Sequence, residues 1–150
     1  MFPHPNKETT PLALRANVAH NHVRHEKIVI VTGHTENVPH IPWDERLTID
    51  DLGDADDGII HITAVFGFHD PTDFPEVLRR CATHPLAEGI DSYQVSYFVS
   101  RITLRCTRTP GMATWRKRLF IALAHNAASH AEFLHLPEEL TIVLSAEVPV

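Results

Sequence analysis

Ile28-Val29-Ile30-Val31 is a run of β-branched residues with no polar residue between them. A strand with one wet face alternates apolar and polar positions, so an unbroken apolar run fits a strand covered on both faces. That places residues 28–31 at the centre of a sheet with cover on each side, an α/β arrangement leaning to α+β.

Upstream of this strand, Thr10 and Pro11 read as an N-cap and a first helical position. Leu12, Ala16, Ala19 and Val23 then recur at helical spacing and form one apolar stripe. Residues 1–9 are mostly polar and are expected to be loose. Downstream, Pro39 and Pro42 mark an irregular connection, and Leu47 and Ile49 alternate with polar neighbours in a short strand. The acidic stretch Asp50 to Asp57 reads as an exposed turn. From Ile59 to Phe68 the alternation predicts a half-buried strand, with Ile60, Ile62, Ala64, Phe66 and Phe68 on the apolar face and His61, Thr63 and Gly67 on the other.

Asp73 followed by Glu76 has the spacing of a capping box, with Phe74, Val77, Leu78 and Cys81 as the apolar side of its helix. Tyr93 to Leu104 is strand-like, but its apolar phase shifts near Phe98, as a bulge would cause. Thr109-Pro110-Gly111 opens the longest helix, through Trp115, Leu119, Leu123 and Ala127, and Leu140 to Val148 alternate as a last strand. The predicted order is α-β-β-β-α-β-α-β. It gives a mixed five-stranded sheet carrying three helices, with an antiparallel hairpin over residues 47–68 and parallel strands joined by the last two helices.

A chain of 150 residues matches one domain with one core, so residues 1–150 are expected to form a single soluble unit. The net charge of −6 speaks against nucleic acid as a partner. Arg116-Lys117-Arg118 reads as the solvated face of a helix. Cys81 and Cys106 form no CxxC pair, which excludes a disulfide framework and suits a reducing cytosol. No signal peptide is read at Met1, and the longest apolar run, Leu119 to Ala124, is too short to span a bilayer.

No glycine-rich phosphate loop is present. Thr32 and Gly33 stand at the end of the central strand, where open α/β sheets tend to present ligand sites. The other candidate group is His20, Asn21, His22, His25 and Glu26. His22 and His25, three apart, would share a helix face, but the zincin spacing is absent, and capping of the helix end accounts for the same residues. No metal or other cofactor is expected. No serine elbow and no activated cysteine occur, so an enzyme is not expected. Trp115 and Tyr97 read as core residues. The 12 histidines would swing the net charge from negative to positive on acidification, with His20, His22 and His25 as the densest group.

Several stretches, in order, resemble the C-terminal region of the Kup/HAK/KT potassium transporter family. They are Ala19 to Ile30 (AHNHVRHEKIVI), Val38 to Pro42 (VPHIP), Gly67-Phe68, Ser96 to Arg101 (SYFVSR), and Pro110 to Phe120 (PGMATWRKRLF) continuing to Asn126-Ala127-Ala128-Ser129. Ile102 stands where relatives commonly carry glutamate, and the ending Ala146 to Val150 differs from the usual one. The resemblance implies a membrane-spanning parent that imports potassium together with protons. This chain would be its regulatory or dimerising domain on the cytoplasmic side. Its implied partners are the membrane part of the same transporter and a second copy in a homodimer. The alternative is a free-standing module sensing an adenine nucleotide or a cyclic dinucleotide.

Overall fold

In the computed structural model, β2 (Ile28–Glu36) begins with five buried residues, Ile28 to Thr32, and Val31 is fully enclosed. Val29 and Val31 belong to one apolar cluster, Ile28 and Ile30 to another. The unalternating run is therefore covered on both faces, as its sequence requires. The structure describes all residues except 54–56, 89, 91–93, 106–113, 126–132 and 150.

The main sheet has four strands in the order β1-β2-β4-β3. β1 (Phe2–Pro3) and β4 (Ile59–Gly67) run parallel to β2, while β3 (Leu47–Asp50) pairs antiparallel with β4 as the expected hairpin. β5 (Tyr97–Arg105) and β6 (Thr141–Pro149) form a separate parallel pair. The helices are α1 (Leu12–Asn21), the four-residue α2 (Trp43–Arg46), α3 (Phe74–Cys81) and α4 (Thr114–His125). The class is mixed α/β. The expected single sheet of five strands with three helices is corrected, among the described residues, to two sheets of four and two strands with four helices.

The largest correction is at the amino end. Within the segment expected to be loose, Phe2 is 1% exposed and stacks on Phe98, ring centroids 4.9 Å apart. The Met1 nitrogen donates to the Ser96 carbonyl at 2.8 Å, and the Phe98 N–H donates to the Met1 carbonyl at 2.9 Å. Residues 1–3 thus lie between the main sheet and the β5–β6 pair and connect them. Two residues are too few to show a periodicity, so nothing local marked them as a strand.

α1 is also turned from its expected setting. Ala13, Leu14 and Asn17 are buried, whereas Val18 and Val23 are exposed. The helix stops at His22, which adopts the left-handed conformation (φ 53°) and donates its N–H to Val18, so Val23 lies past the end. Pro11, not Thr10, occupies the N-cap, and the N–H of Ala13 is satisfied by the Ser100 hydroxyl at 2.9 Å. A residue distant in sequence supplies the cap.

α3 follows its sequence closely. The Asp73 carboxylate accepts the N–H of Glu76 at 2.9 Å, and Phe74, Val77, Leu78 and Cys81 are all buried. β5 pairs with β6 in continuous register from Tyr97 opposite Thr141 to Arg105 opposite Pro149, without the expected bulge. Its phase shift arises because the strand begins at Tyr97 and buries Tyr97, Phe98 and Val99 in succession, with both faces covered. α3 connects β4 to β5, yet these strands are not paired.

Tyr97 is a core residue as expected, but Trp115 is 63% exposed, and Leu119 and Leu123 are exposed with it. Lys117, expected on a solvated face, is buried. The rest of the long helix expected at 109–127 lies outside the described residues.

Candidate functional site

Parallel strands leave their carboxyl ends on one side of a sheet, and crevices there are common ligand sites. Here a cavity of about 440 Å³ opens at that side, lined by Gly33 and Thr35 of β2, Phe66 of β4, Phe74 of α3 and Ser100 of β5. Gly33 keeps its floor clear: a Cβ there would stand 3.2 Å from the Phe74 ring. No lysine, arginine or carboxylate is among its described lining residues. Its polar groups are neutral hydroxyls and His4, whose pKa is lowered by burial. Such walls favour uncharged, largely apolar groups over phosphates.

Thr32, beside Gly33, is spent elsewhere. It is buried, and its hydroxyl lies 2.9 Å from Nε2 of His61, also buried. Burial lowers the His61 pKa, and the nearby Lys7 cation adds to this.

The group from His20 to Glu26 does not reach this cavity. Asn21 donates to the Asn17 side chain at 2.6 Å, and the Asn17 amide in turn lies 3.4 Å from the His25 ring. His25 packs against Phe98, centroids 5.5 Å apart, and lines a second cavity of about 280 Å³ with Met1, Phe2 and Lys27. His20 and His22 are exposed at the helix end, and His25 lies beyond it, so no shared helical face forms. The Glu26 carbonyl packs on Gly58, where a Cβ would come within 2.2 Å of it. The fold thus separates the candidates: Gly33 lines one cavity, His25 another, Asn21 and His22 finish α1, and His20 and Glu26 are exposed.

A third arrangement escaped the sequence reading. The Asp70 side chain is 8% exposed and accepts four donors: the N–H groups of Ile41 (3.0 Å) and Gly67 (2.8 Å), His40 Nδ1 (2.9 Å) and Arg46 Nη2 (2.7 Å). These donors, led by His40, hold its carboxyl well below the usual range. Arg46 is itself buried, with its guanidinium over Trp43 at 4.1 Å and its Nε without a partner. The same loops are joined by Phe68 N–H to Val38 O at 2.9 Å and His69 N–H to Pro39 O at 3.0 Å. These bonds end β4 at Gly67 and turn Phe68 outward, 52% exposed, against the expected inward setting. The signal was present as two separate stretches, Val38 to Pro42 and Gly67-Phe68; nothing in their spacing shows that they touch.

No nucleophile is assembled with these groups among the described residues. The Cys81 thiol is buried, and burial pushes its pKa up to about 11, which removes it as a thiolate at neutral pH.

Residues 1–149 match the model of the family described as K+ potassium transporter C-terminal domain. The chain belongs to this family. Relatives of this potassium transporter C-terminal domain include a "Probable potassium transport system protein Kup" of Rhodococcus jostii, 44% identical over 150 residues, which are 100% of this chain and 23% of that protein. Proteins of the same name from Myxococcus xanthus and Aromatoleum aromaticum are each 36% identical, over 95% and 94% of this chain and 21% of their own length. The chain therefore spans about a fifth of the length of these relatives. No solved structure matches it. No described helix of this transporter domain is long and apolar enough to cross a membrane.

Proposed function

We propose that these residues form a regulatory or dimerising domain on the cytoplasmic face of a potassium importer that moves potassium with protons. The observation that carries this reading is the family match over residues 1–149, against relatives of which the chain is about a fifth. The exposed stripe Trp115, Leu119, Leu123 on α4 supports the dimer in particular, because an unburied apolar helical face favours association. The test is potassium-limited growth of an uptake-deficient bacterium carrying the full-length parent with or without this domain. Uptake that persists but loses its normal control supports regulation. Complete loss of uptake, with the shortened protein still in the membrane, makes the domain part of the transport path and overturns it. Light scattering of residues 1–150 over a concentration series tests the dimer, which Leu119→Glu should dissociate. A strict monomer at high concentration rejects it.

The strand-end cavity favours a second reading, a small-molecule sensor. Its nucleotide form requires a thermal shift with adenine nucleotides or cyclic dinucleotides, and the uncharged lining around Gly33 speaks against it.

A further inference from the structure

We propose that His40 and His69 form a binding site for a divalent transition-metal ion of the zinc class, with Asp70 as the carboxylate that orients His40. The loops over 37–42 and 67–70 are joined by the Phe68–Val38 and His69–Pro39 backbone bonds and by Asp70, which takes N–H groups from both. Their histidines therefore project from a fixed backbone, and their ring centroids lie 5.7 Å apart. Two imidazoles on one tetrahedral zinc, with Zn–N of about 2.0–2.1 Å, hold their centroids about 5 Å apart. Both rings are exposed, so side-chain adjustment covers the difference.

The chemistry of the pair matches that spacing. His40 Nδ1 is engaged with the Asp70 carboxylate, so Nδ1 carries the proton and Nε2 offers its lone pair outward. Metal-bound histidines almost always have such a partner, which fixes the tautomer and raises the basicity of the ligand. Asp70 does not turn to the metal itself, because Ile41, Gly67 and Arg46 hold its Oδ2 while its Oδ1 is engaged with His40. Phe68 stands edge-on to His69 at 4.7 Å and limits where that ring swings. No group of three or more ligating side chains is assembled among the described residues, so water completes the shell and leaves exchangeable positions. Paired imidazoles select zinc, copper or nickel over calcium, magnesium or potassium, which prefer oxygen.

The experiment is calorimetric titration of zinc chloride into residues 1–150 without chelating buffer, with the histidine ring signals followed by NMR. One zinc per chain should bind, shifting the His40 and His69 rings. His40→Gln and His69→Gln, both on the surface, should each weaken binding about tenfold or more, and Asp70→Asn about tenfold, the range typical of outer-shell partners. Circular dichroism checks that each variant is folded. Unchanged binding in the His40→Gln/His69→Gln double variant overturns the site. So does the absence of saturable binding, or loss of binding on replacing His20, His22 and His25 instead. Equal shifts with magnesium also reject a soft-ligand site.

Discussion

His61 sits on the face of β4 expected to be the wetter one, yet it is 2% exposed and bonded to Thr32. Lys7, Asp50, His4 and His34 surround it electrostatically, and Lys7 is tied to Asp50 by an ion pair. In the unfolded chain a histidine titrates near about 6.5. The folded His61 takes up its proton at lower pH, so below 6.5 the unfolded state binds more protons and stability falls as the pH drops. Urea midpoints at pH 7.5 and 5.5 should show this loss, and His61→Gln should flatten part of the slope. Gly67 gives a steric prediction. A Cβ there would stand 2.4 Å from the Pro39 carbonyl, so Gly67→Ala must push two joined loops apart. It should cost about 1–3 kcal/mol by urea denaturation, as overpacking does.

Among the elements, α3 and α4 make opposite cases. α3 has a cap, an apolar stripe and a buried face that all agree, so its sequence alone placed it. Asp73→Ala should lower stability by about 1 kcal/mol, measured by the shift in urea midpoint, since one N-cap bond is lost. α4 carries an equally regular stripe, but Trp115, Leu119 and Leu123 face outward. Periodicity shows that a face is apolar and is silent on what covers it. Leu123→Ala should therefore change the stability of the monomer by less than about 0.5 kcal/mol. The same change at buried Leu78 should cost about 2–5 kcal/mol. Comparable losses at both positions would show that α4 is packed against the core. α1 lies between these cases: its helix was legible, but its rotation was set by Ser100 and by the His22 cap.

On the scale of the whole molecule, residues 1–3 join two sheets. Phe2→Ala removes the ring stacked on Phe98 and should cost about 3–5 kcal/mol, the usual range for a buried phenylalanine. Burial also pushes the Met1 amino group from 8.0 down to about 5. The unfolded amine stays protonated up to pH 8, so this group lowers the stability of the folded state increasingly as pH falls from 8 toward 5. A nitrogen in a peptide bond does not titrate in this range. Adding upstream residues to the chain should remove that part of the pH dependence, read as urea midpoints at pH 8 and pH 6.

The sequence by itself determined what repeats over a few residues: the doubly covered run Ile28 to Val31, the hairpin of β3 and β4, the capped α3 and the parallel pairing of β5 with β6. It also carried the family, because ordered matches along the whole chain survive without any knowledge of contacts. Tertiary structure alone decided which candidates meet. Gly33 and His25 line different cavities, Thr32 is engaged with His61, and His40 and His69 come together on loops 29 residues apart in sequence. It also decided that Met1 and Phe2 are core. The physical reason is common to all of these. A cap, a tie between loops or a two-residue strand is stabilised by a partner far along the chain, and local periodicity carries no information about that partner.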